Sequence, residues 1–139
     1  MKFVQSDPPT REEELILYTG LYEQSKAKKG LKPLESFGIF IKDDDDKLLG
    51  GITGVRLYGC CHIDTLWLKP DLRGQGLGRK LVDKALSQAK DHGCTFSTVH
   101  TMDFEARPFY ESLGFHVEYE RTGYEKDSVM YLLRKELTE

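Results

Sequence analysis

Cysteine is scarce in this chain, and the three it has, the adjacent pair Cys60 and Cys61 and the distant Cys94, show none of the paired spacing of a disulfide framework. Reduced, partly buried thiols are expected. The same residues exclude a zinc module, because CCH at 60–62 puts successive side chains on alternating faces of a strand instead of gathering them at short repeated intervals. No apolar run approaches the ~18 residues needed to cross a bilayer, and MKFVQSDPP holds one lysine and too few apolar residues for a signal-peptide core. These absences imply a cytoplasmic protein without a membrane partner. An excess of positive charge is also missing: 20 Lys and Arg stand against 23 Asp and Glu, giving a net charge of −3, so a nucleic-acid backbone is a poor partner. Repeats, linkers and low-complexity stretches are absent, and 139 residues with 39% hydrophobic content suit one domain, 1–139, with one core.

What is present reads as an ordered series of elements. From Thr10 to Lys29 the apolar residues Leu15, Leu17, Tyr18, Leu21 and Tyr22 recur at helical intervals after the acidic turn Glu12 to Glu14, and Gly30 marks a stop. SFGIFIK, KLLGGITGVRLYG and CCHIDTLWL then read as an antiparallel meander. The run Asp43 to Asp46 followed by Lys47 suits the solvated tip of its first hairpin. That DDDDK run is also similar to an enteropeptidase recognition sequence, which implies cleavage after Lys47 if the tip is exposed. Leu77, Leu81, Val82, Ala85, Leu86 and Ala89 define the inner face of a second helix, with Lys80, Asp83, Lys84 and Gln88 outside and Gly93 as terminator. CTFSTVHT reads as a strand, Phe104 to Leu113 as a short helix, and FHVEYER and SVMYLLRKEL as closing strands. The fold class is α/β of the α+β kind: a mixed, mostly antiparallel sheet with flanking helices.

The stretch LRGQGLGRKLV, Leu72 to Val82, carries the chemistry. A nucleotide-triphosphate loop requires Gly-Lys followed by Ser or Thr, whereas Gly78 is followed by Arg79, Lys80 and Leu81. A dinucleotide turn requires GxGxxG, and counting from Gly74 its last position is Arg79. What fits is a glycine-rich turn opening a helix, where free amides and the helix dipole attract an anion, Gly74, Gly76 and Gly78 let a phosphate approach the backbone, and Arg73 and Arg79 add cationic donors.

The segment Arg73-Gly74-Gln75-Gly76-Leu77-Gly78 resembles the Arg/Gln-x-x-Gly-x-Gly/Ala signature of the GNAT superfamily of N-acetyltransferases, and ARPFYESLGF, Ala106 to Phe115, is similar to that family's downstream helix. The resemblance implies a GNAT-like acyl-CoA N-acyltransferase fold, acetyl-CoA as cofactor, and direct attack of a primary amine, on a small molecule or a peptide, upon the thioester within a ternary complex. It places the thioester carbonyl against the backbone of Leu66, Trp67 and Leu68 and the phosphates on Arg73, Gly74, Gln75, Gly76, Leu77, Gly78, Arg79 and Lys80. It gives Tyr110 the role of acid toward the departing thiolate, beside Phe109. His62 and Asp64, expected to share a strand face with Leu66 and Leu68, are the candidates for the amine side, with Glu105 and Asp103 behind them. Many relatives carry asparagine after the fifth strand; HTMDFEARPFY has none, which leaves His100, Thr101 or Asp103 to contact the cofactor's arm. The alternative to an enzyme is a non-catalytic acyl-CoA-binding module or sensor of the same fold. By fold analogy alone, an edge formed by the closing strands is available to pair two chains as a homodimer.

Overall fold

The computed structural model describes residues 1–138, in two compact units, 1–34 and 35–138. The first unit is an extended arm followed by helix α1 (Arg11–Lys29). Its start is set by a reciprocal cap: the Thr10 hydroxyl accepts from the Glu13 amide at 3.1 Å, and the Glu13 carboxylate accepts from the Thr10 amide at 2.7 Å. Three glutamates in the first turn and three lysines in the last complement the helix dipole, and Gly30 ends the helix in the left-handed region. None of its residues is buried, although apolar side chains occupy the four successive positions Leu15 to Tyr18.

The second unit holds a six-stranded sheet of β1 (Glu35–Lys42), β2 (Leu48–Leu57), β3 (Cys60–Leu68), β4 (Phe96–Met102), β5 (His116–Arg121) and β6 (Met130–Glu136), in spatial order β1-β2-β3-β4-β6-β5. Every neighbouring pair is antiparallel except β3 and β4, which helix α2 (Leu77–Asp91) connects as a crossover. One face of the sheet packs against α2: Ile52, Ile63, Val99 and Leu133 from the strands and Val82 and Ala85 from the helix are each at most 2% exposed. The charged face of α2 points out as its periodicity predicts. The expected helix from Phe104 is shorter, α3 (Arg107–Ser112), because residues 103–106 form a turn in which the Glu105 amide donates to the Met102 carbonyl, and Pro108 can enter only the first turn of a helix. No helix among the described residues is long and apolar enough to cross a membrane.

The acidic run forms the hairpin tip. The Asp43 carboxylate accepts from the amides of Asp45 at 2.8 Å and Lys47 at 2.9 Å, while Asp44, Asp45, Asp46 and Lys47 are exposed. Enteropeptidase is therefore expected to cut once, after Lys47, giving two fragments by mass spectrometry. A chain that stays whole under conditions that cleave an unstructured control peptide of the same sequence would show that the Asp43 bonds hold the tip closed.

Candidate active site

The parallel pairing of β3 with β4 runs only from Cys60 opposite Phe96 to Ile63 opposite Val99. Beyond that rung β4 stays bonded to β6 as far as Met102, and β3 stays bonded to β2 as far as Leu68, so the two central strands part. Backbone groups of Asp64 to Leu68 on one side and of His100 to Met102 on the other thus line an opening in the middle of the sheet.

A bulge accompanies the parting. In the β2 to β3 register Thr53 faces Thr65 and Gly54 faces Ile63, leaving Asp64 as the extra residue. The expectation that His62 and Asp64 share a face with Leu66 and Leu68 is corrected here. His62 pairs with Val55 and Leu66 with Ile52, three residues apart on β2 and so on opposite faces. The bulge reverses the alternation: Leu66 and Leu68 join the core side, while His62, Asp64 and the half-exposed Trp67 are presented on the other. Gly54 is a condition of this geometry, because a Cβ there would collide with the carbonyl oxygen of His62 and the ring of Phe37.

The glycine-rich turn follows β3 through the 3₁₀ turn Pro70–Leu72. Gly74 and Gly76 hold φ of 78° and 79°, where a side chain is strained, and nothing lies within 4 Å of a Cβ built on either. Lys80 is the first residue of α2 whose amide reaches a carbonyl, that of Gly76 at 3.1 Å, so the amides of Leu77, Gly78 and Arg79 have no helical acceptor. Gly78 also serves packing: a Cβ there would lie 3.3 Å from the Phe109 ring and 3.8 Å from Leu68 Cδ1, which makes Phe109 and Leu68 one wall of the turn. The Arg73 Nε donates to the Leu68 carbonyl at 3.0 Å and the Gln75 amide to the Asp71 carbonyl at 3.2 Å, which fixes both side chains beside the turn and occupies the Leu68 carbonyl oxygen. With the exposed Arg79 and Lys80 the turn forms a cationic cradle with outward-facing amides, whose donor set fits a pyrophosphate.

Tyr110 is 4% exposed and edge-on to both Phe109 and Phe115, with ring centroids 5.1 Å and 5.5 Å away. Burial, assisted by the charge of Glu105, pushes its phenol up to about 12. Thr101, expected at the cofactor's arm, is buried, and its hydroxyl accepts from the Ala106 amide at 3.1 Å, fastening the start of α3. Asp103 is tied into a loop contact: its amide donates to the Val129 carbonyl at 2.8 Å and its carboxylate accepts from the Val129 amide at 3.2 Å. His62 is held by three neighbours that lie together: Thr98 Oγ1 is 2.7 Å from Nδ1, Asp64 is 3.8 Å from Nε2, and the His100 ring lies edge-on with centroids 5.2 Å apart. Burial, and then the neighbouring His100, lower the His62 pKa below the ordinary histidine value, against the opposing pull of Asp64. Thr98 was not singled out by sequence. The signal for it is the alternation in CTFSTVHT, which puts Thr98 and His100 on one face once β4 is paired parallel to β3.

An opening between parallel central strands, with an anion cradle at the exit of one of them, is the arrangement that the resemblance to acetyl-CoA-dependent transferases implies. The Acetyltransferase (GNAT) family model matches residues 6–115, and the chain belongs to that family as an acetyltransferase. It is 34% identical over 107 residues to blasticidin-S acetyltransferase of Streptomyces morookaense, covering 76% of this chain and 79% of that one. A peptidyl-lysine N-acetyltransferase of Salmonella typhimurium is 43% identical over 79 residues, 57% of this chain and 49% of its own length. A crystal structure from Agrobacterium tumefaciens, assigned as an acetyltransferase, superposes with a TM-score of 0.84 at 28% identity, covering 98% of this chain and 99% of that one.

Alanine at Gly76 is expected to cost about 1–2 kcal/mol of stability through its positive φ. The same change should weaken binding of a CoA thioester. Urea unfolding and a binding titration on one preparation check both.

Proposed function

We propose that the protein transfers an acetyl group from acetyl-CoA to a primary amine by direct attack in a ternary complex. The observation that carries this reading is the juxtaposition of the β3 to β4 opening with the amides at the start of α2, a slot for an extended thioester arm ending at a seat for its phosphates. Acetyl-CoA supplies the acetyl group as a thioester when bound. The chain's part is to orient it along Leu66 and Trp67, to take a proton from the amine and to return one to the departing sulfur.

His62 is the base of this proposal. Its depressed pKa keeps the ring neutral at pH 7, which is the form that accepts a proton, and Asp64 stands 3.8 Å from Nε2 to stabilise the imidazolium that results. Tyr110 is the acid: with a phenol near 12 it stays protonated across the working range. The acceptor class follows from the relatives only in outline, since one is named for blasticidin S and another for peptidyl-lysine.

Titration calorimetry with acetyl-CoA, ATP and NAD tests the cofactor, and saturable binding of acetyl-CoA alone is expected. Tyr110→Phe should depress kcat about a hundredfold with little change in KM for acetyl-CoA; unchanged turnover removes its role as acid. The rate should rise with pH through the lowered His62 pKa, so that its acid limb falls below the usual histidine range and disappears in His62→Gln. An acceptor amine of low basicity keeps the substrate's own titration out of that window.

A further inference from the structure

We infer that Thr98 is a positioning residue that sets the working tautomer of His62. The inference rests on the reading of His62 as base. Nδ1 of His62 and Oγ1 of Thr98 are 2.7 Å apart across the paired rung of the two parallel strands, where His62 stands opposite Thr98. The contact therefore joins the last stretch of β3 that is bonded to β4 with β4 itself, at the base of the opening.

The chemistry of the contact is directional. A base that works through Nε2 must carry its hydrogen on Nδ1, and that hydrogen needs an acceptor. The Thr98 hydroxyl oxygen accepts it, provided its own hydrogen has somewhere to go, and Cys60 Sγ lies 3.4 Å from the same oxygen. The ordered chain is then His62 Nδ1–H to Thr98 Oγ1 and Thr98 O–H to Cys60 Sγ, with the Nε2 lone pair turned toward the side of Asp64. When Nε2 takes the amine's proton, both ring nitrogens become donors: Nδ1–H keeps Thr98, and Nε2–H gains the Asp64 carboxylate. No proton beyond the one transferred has to move, and no group changes partner.

The charged and titratable groups around this chain are Asp64 and Cys60 on β3, His100 on β4, Arg134 on β6 opposite Thr98, and Glu118 on β5, which is 3.9 Å from Arg134. Arg134 is held over the Phe96 ring, 3.9 Å from its centroid, and by Glu136, so its charge is directed along the strand and away from the His62 ring. Burial raises the Cys60 thiol, which keeps it protonated as a weak acceptor for the Thr98 hydroxyl and not a competing thiolate. His100 is exposed and edge-on to His62, where a positive charge on it opposes one on His62.

The test is nitrogen-15 NMR of the imidazoles in the full-length protein, together with the pH profile of Thr98→Val and Thr98→Ser. The expected wild-type spectrum shows neutral His62 protonated at Nδ1 and bare at Nε2. Valine keeps the shape and strand preference of threonine but removes the acceptor. Thr98→Val should therefore lose the fixed tautomer and lower kcat by about tenfold to a hundredfold. It should move the acid limb to lower pH, because the imidazolium loses a charge-assisted bond, and leave KM for acetyl-CoA unchanged. Serine, which restores the hydroxyl, should restore the tautomer and the profile. A wild-type His62 protonated at Nε2, or a Thr98→Val profile that coincides with the parent's, overturns the inference. The spectrum reads the tautomer without turnover. If His62→Gln turns over like the parent while the tautomer is as expected, the base reading fails and takes the catalytic role of Thr98 with it.

Discussion

The structure depends on the parting of two parallel strands. A sheet that continued its β3 to β4 ladder past Ile63 and Val99 would satisfy every backbone group and leave no place for a substrate. Ending the ladder there leaves a row of donors and acceptors on each strand, which an extended, amide-bearing ligand arm can satisfy as a strand would. The outer pairings, β2 with β3 and β4 with β6, continue past the break and keep the two edges of the opening rigid.

The Asp64 bulge makes one strand serve two requirements. Before it, β3 buries Cys61 and Ile63 against the core; after it, the same side is taken by Leu66 and Leu68. Without the extra residue, Leu66 and Leu68 would fall on the face of His62, and the core beneath α2 would lose two partly buried leucines, each contributing a fraction of the about 1.5–3 kcal/mol of full burial. The bulge requires Gly54 on β2, since only a residue without Cβ leaves room for the His62 carbonyl. The core, the bulge and the presentation of His62 are one solution to the same packing problem.

Much of this was legible in the sequence. The meander, the helix at 77–91 and the closing strands are written in hydrophobic period, and the cradle in RGQGLGRK, because regular elements and glycine turns act over a few neighbouring residues. The face of His62 was not legible from simple alternation, since a bulge is a register event between two strands and CCHIDTLWL marks it only by the polar pair Asp64-Thr65 between Ile63 and Leu66. A second trace was in the other strand, in GGITG, where a glycine inside a strand pattern signals a close backbone approach. The packing of the bare α-carbon of Gly78 against Phe109 was not legible, because it is a contact between elements some thirty residues apart that local reading does not reach. Thr98 was missed because a threonine in a strand is ordinary until the strand opposite is known.

Tyr110 shows how the core and the chemistry share material. A tyrosine between Phe109 and Phe115 gains the packing energy of an aromatic cluster, and that same burial is what lifts its phenol to about 12. An acid so weak is of little use against a neutral leaving group, but a departing thiolate is a base whose conjugate acid lies near 8.5 in an unperturbed thiol. Transfer from the phenol to that thiolate is uphill when both are free, so the site would use Tyr110 first as a hydrogen-bond donor to the developing charge on sulfur. The proton then need not cross fully until solvent reaches the product. In the proposed reaction that division of labour agrees with His62, where a lowered pKa would leave a free lone pair for the amine. One group is kept neutral by losing its affinity for a proton, the other by holding its proton tightly, and burial is the first cause of both.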